Sequence, residues 1–90
     1  MNQYGRQALN YWRTDLPSRF AQIEDPESFF TELGDEMAAQ VDQLTQTLAG
    51  PDPAQEDFMD KLGRLNAARS AAEEQVIRET LPLEDLTSST

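Results

Sequence analysis

Apolar residues return along this chain at spacings of three and four, the signature of helices that bury one face. The first stripe is Tyr4, Ala8, Trp12, Leu16, Phe20 and Ile23. Pro17 falls inside it, and proline lacks the amide and clashes with the preceding turn. The pattern therefore predicts a helix over residues 3–14, with Asp15 as a cap restarting a short helical piece that runs to Ile23.

A second stripe is Phe30, Leu33, Met37, Val41, Leu44 and Leu48. Its start is marked by Asp25-Pro26-Glu27-Ser28, an N-cap aspartate ahead of proline at the first helical position, with acid in the first turn. Gly50 and Pro51 end it. The third stripe is Phe58, Leu62, Leu65, Ala68, Ala72 and Val76, with Met59, Ile77 and Leu81 beside it. Asp52-Pro53 reads as its cap, and Pro82 as its end.

Gly50-Pro51-Asp52 is too short a link for anything but antiparallel neighbours, so the second and third helices are expected to form a hairpin. A turn at Pro51 makes facing residue numbers sum to about 102. That rule sets Gly34 against Ala68, Gly63 against Ala39, and Arg69 near Glu32 and Asp35. The alanines at 67, 68, 71 and 72 form a smooth patch suited to Trp12 or Tyr11.

The expected fold is all-α: a long antiparallel helical hairpin with an N-terminal helix, kinked near Pro17, packed on it in a three-helix bundle-like arrangement, monomeric or dimeric. Residues 1–82 form one helical domain, and residues 83–90 a disordered tail. A domain this short buries a small core, and burial of ~1.5–3 kcal/mol per large side chain is mostly offset by chain entropy. A homodimer is the favoured state on that ground.

Charge changes the picture more than composition does. The 90 residues carry a formal net charge of −10. Residues 1–23 hold Arg6, Arg13 and Arg19 against Asp15 alone. Residues 24–60 hold Glu24, Asp25, Glu27, Glu32, Asp35, Glu36, Asp42, Asp52, Glu56, Asp57 and Asp60 with no base at all. The excess negative charge thus lies in one central block.

There is no cysteine and no histidine. Disulfides, thiolate metal sites, histidine-containing triads and the usual neutral-pH general base are removed together. Lys61 is the sole lysine. No catalytic residue, cofactor or metal ligand is assigned, and the chain is read as non-enzymatic. No stretch approaches the ~20 apolar residues of a membrane span, and the first residues lack the apolar run of a signal peptide. A cytoplasmic protein is expected, of bacterial or phage type.

Three functional readings follow. The first is a protein–protein interaction factor, an accessory or regulatory subunit or adapter. Its contacts would be Tyr4, Tyr11, Trp12, Phe29 and Met59, and its partner another protein, one with a basic surface. Neither membrane nor direct nucleic-acid binding is expected. Arginines beside Tyr4, Tyr11 and Trp12 suit single-strand binding, but three of them beside an acidic block suit a packed aromatic core better.

The second reading takes the acidic block, notably Glu24, Asp25, Glu27, Glu32, Asp35, Glu36, Asp42, Glu56, Asp57 and Asp60, as a mimic of nucleic-acid phosphates. Such a surface would inhibit a DNA- or RNA-binding partner. Duplex DNA presents one charge per ~1.7 Å of axis, a density this block approaches without reaching.

The third reading rests on Glu24/Glu27, Glu32/Asp35 and Asp57/Asp60. Their acid-x-x-acid spacing resembles that of all-α nucleotide pyrophosphohydrolases of the MazG type, which implies a magnesium-dependent hydrolase. The hairpin pairing opposes it, because residues 57–60 should face 42–45 and not 32–35.

Overall fold

The computed structural model describes residues 1–81, and among them the chain forms four α-helices and no strand. These are α1 (Gln3–Asp15), α2 (Pro17–Ala21), α3 (Pro26–Ala49) and α4 (Phe58–Thr80). The expected all-α class is what the chain adopts. The proposed tail at 83–90 and the stop at Pro82 lie outside the described residues. The chain divides into two compact units, Met1–Ala39 and Gln40–Thr90, and α3 contributes to both.

In the first unit, Asn2 caps α1, its side chain accepting from the Gly5 amide. The break at Pro17 is real, but Asp15 is not the cap. Asp15 is the last residue of α1, and Leu16 serves as C-cap of α1 and N-cap of α2 with no side-chain hydrogen bond. Pro17 needs no amide partner at the first position of α2, so the restart tolerates an apolar residue before it. The Leu16 amide still donates to the Trp12 carbonyl at 2.8 Å. Asp25 caps α3 as expected, accepting from the Ser28 amide at 3.2 Å.

The core of this unit is Tyr4, Ala8, Phe30 and Met37. Phe30 gathers the aromatics of three helices. Its ring lies 5.8 Å from Trp12 of α1, 6.1 Å from Phe20 of α2 and 4.9 Å from Phe29 beside it. Trp12 therefore packs on Phe29 and Phe30.

Gly34, expected opposite Ala68, is instead packed by α1. A Cβ there would lie 2.7 Å from the Gly5 nitrogen and 2.8 Å from the Gly5 Cα. Two glycines let the helix backbones approach more closely than any side chain would permit.

In the second unit, the end of α3 and all of α4 run antiparallel. Asp42 meets Arg69, and farther along α3 the Ala49 carbonyl accepts from Arg64. The hairpin is present, but its turn is longer than expected. Gly50 ends α3 with φ +66°, and α4 does not begin at Asp52-Pro53. Residues 50–57 form the connection, and Asp57 is the true cap, accepting from the Asp60 amide at 2.8 Å. The added length slides the register, so Arg69 pairs with Asp42 where Glu32 and Asp35 were expected.

Candidate functional site

Both apolar stripes of the second unit leave the core as they approach the connection. On α3, Val41 is fully buried, Leu44 half-buried and Leu48 exposed. On α4, Ala68, Ala72 and Val76 are buried and Leu65 half-buried. Leu62 is 39% exposed and Phe58 and Met59 are each 71% exposed. A sequence reading that places Phe58, Leu62 and Leu48 in the core is corrected here. The longer connection carries the start of α4 beyond the cover that a tight turn would supply.

Leu62 stands one turn from both Phe58 (i, i+4) and Met59 (i, i+3), and so joins the two into one patch. Single exposed apolar residues are ordinary, whereas a cluster of large ones marks a contact surface.

The connection beside this patch is held by one side chain. Arg64 sends Nε to Glu56 Oε2 at 2.8 Å, Nη2 to Glu56 Oε1 at 2.9 Å and to Asp52 Oδ1 at 2.6 Å, and Nη1 to the Ala49 carbonyl. Lys61 Nζ adds a bridge to Asp52 Oδ2 at 2.8 Å. The planar fork of arginine suits this bidentate grip. Lys61, and after it Arg64, hold the Asp52 carboxyl below its ordinary range, and Arg64 does the same for Glu56. The carboxylates of Glu56 and then Asp52 push the Arg64 guanidinium upward.

These bridges alter the acidic block. Asp42, Asp52 and Glu56 are neutralised from α4 by Arg69, Lys61 and Arg64. Asp25 and Asp57 act as helix caps while remaining exposed. Glu24, Glu27, Glu32, Asp35 and Glu36 in the first unit and Asp60 in the second are also exposed. Asp25, Glu27 and Glu32 border one shallow depression on the first turns of α3. Among the described residues, no three acids converge on a point that could hold a metal ion.

The structure places the sequence-derived contact residues unevenly. Tyr4 is buried at 4% exposure and belongs to the core of the first unit, so it offers no contact surface. Tyr11 and Trp12 are half-buried, with Trp12 against Phe29 at 5.5 Å. Phe29 is 39% exposed, and Met59, like Phe58, is 71% exposed. Sequence reasoning singled out Met59 because it lies off the stripe. It missed Phe58, which sits on the stripe, because periodicity reports which face is apolar and not where along that face the cover ends.

A second feature is an open groove in the hairpin, bordered by Gln40, Gln43, Thr47, Gln75 and Glu79 over Leu44 and Val76. No buried side chain among the described residues is charged, and Tyr4 with its hydroxyl is the one buried side chain there that carries a polar atom.

No protein family, curated protein or solved structure matches this chain.

Proposed function

We propose that the protein is a non-enzymatic interaction factor that docks on another protein through the exposed apolar start of α4. The exposure of Phe58 and Met59, 71% each beside Leu62, carries this reading. Desolvating that cluster would contribute on the order of 25 cal/mol per Å² of apolar surface covered. Aromatic and methionine side chains are enriched in contact surfaces, and methionine adapts its shape to a partner. The absence of histidine and cysteine, which removes the usual neutral-pH general base and the thiol nucleophile, supports a binding role. No described helix is long and apolar enough to cross a membrane.

A photocrosslinking residue at Met59, introduced into the full chain in the producing cell, tests the reading. The expected result is one dominant adduct with a different protein, not obtained from a probe at Glu79, and a complex that survives about 0.5 M salt. Failure to form any such adduct would sink it.

Mimicry of nucleic-acid phosphates is the competing reading, supported by the exposed acids at 24, 25, 27, 32 and 35. It requires a complex that dissolves steeply between low and moderate salt, since exposed charges are screened beyond about 8 Å at physiological ionic strength. The arginine and lysine bridges on Asp42, Asp52 and Glu56 weigh against it.

A further inference from the structure

We draw no further inference here: the strongest candidate, the open groove of the hairpin between Gln40, Gln43 and Thr47 of α3 and Gln75 and Glu79 of α4, carries nothing because nothing in the structure shows what covers it.

Discussion

Asn2 holds Gly34 across the first unit with one side of its amide and caps its own helix with the other. Its Nδ2 donates to the Gly34 carbonyl at 2.9 Å, and its Oδ1 accepts from the Gly5 amide at 2.9 Å. The same few atoms therefore begin α1 and join it to α3. Asn2→Ala should cost about 1 kcal/mol from the lost cap alone, with more from the lost bridge. Asn2→Asp keeps the acceptor and should recover the cap portion only. Urea unfolding of the three proteins measures both.

The glycines at 34 and 63 should respond oppositely to alanine. At Gly34 the new methyl runs into Gly5 backbone, which cannot swing aside, and overpacking of this kind costs about 1–3 kcal/mol. At Gly63 the methyl enters open space, and the helix should gain up to about 1 kcal/mol. Equal effects of the two substitutions would show that the close crossing of α1 and α3 is wrong.

Trp12→Ala removes the ring that joins α1 to Phe29 and Phe30. Because Trp12 is half-buried, the loss should be about 2–3 kcal/mol, below the ~3–5 kcal/mol of a fully buried aromatic. If a melting curve and a sedimentation profile both match wild type, the ring has no packing role. The emission of this sole tryptophan should also shift when Phe29 is replaced by alanine.

Loss of Arg64 should loosen the connection more than the helices. Arg64→Ala frees Asp52, Glu56 and the Ala49 carbonyl together, and amides at 52 and 54–57 should exchange several-fold faster. Both carboxyls sit below their ordinary values of 3.8 and 4.5, so the bridges contribute fully above about pH 4.5 and fade as pH falls through the lowered values. Arg64 stays protonated throughout. The difference in Tm between wild type and Arg64→Ala should therefore shrink on acidification from pH 6 to about pH 3. A constant difference across that range would remove Asp52 and Glu56 from the account.

Phe58→Ser should separate stability from binding. A side chain 71% exposed contributes little to the fold, and the change in unfolding free energy should stay within about 0.5 kcal/mol. Crosslinking from Met59 should nevertheless fall severalfold, because the anchor beside it is gone. A large drop in Tm would instead place Phe58 in the core.

What local sequence settles in this protein is the existence of the helices and those ends that have a single competent signal. Asp25-Pro26 starts α3 and Gly50 ends it, because no neighbouring residue offers a rival cap or a rival left-handed position. The all-α class follows from spacing alone.

Where two signals compete, tertiary contacts decide. Asp52-Pro53 and Asp57 are both able to cap α4. Arg64, reaching back to the Ala49 carbonyl, draws Asp52 and Glu56 into ion pairs and leaves Asp57 to cap the helix. That choice lengthens the connection, slides Arg69 to Asp42, and strands Phe58 and Met59 outside the core. Spacing tells which residues share a face. Only the contact between distant parts of the chain determines how far along that face the cover extends, because burial depends on what arrives opposite and not on the helix itself.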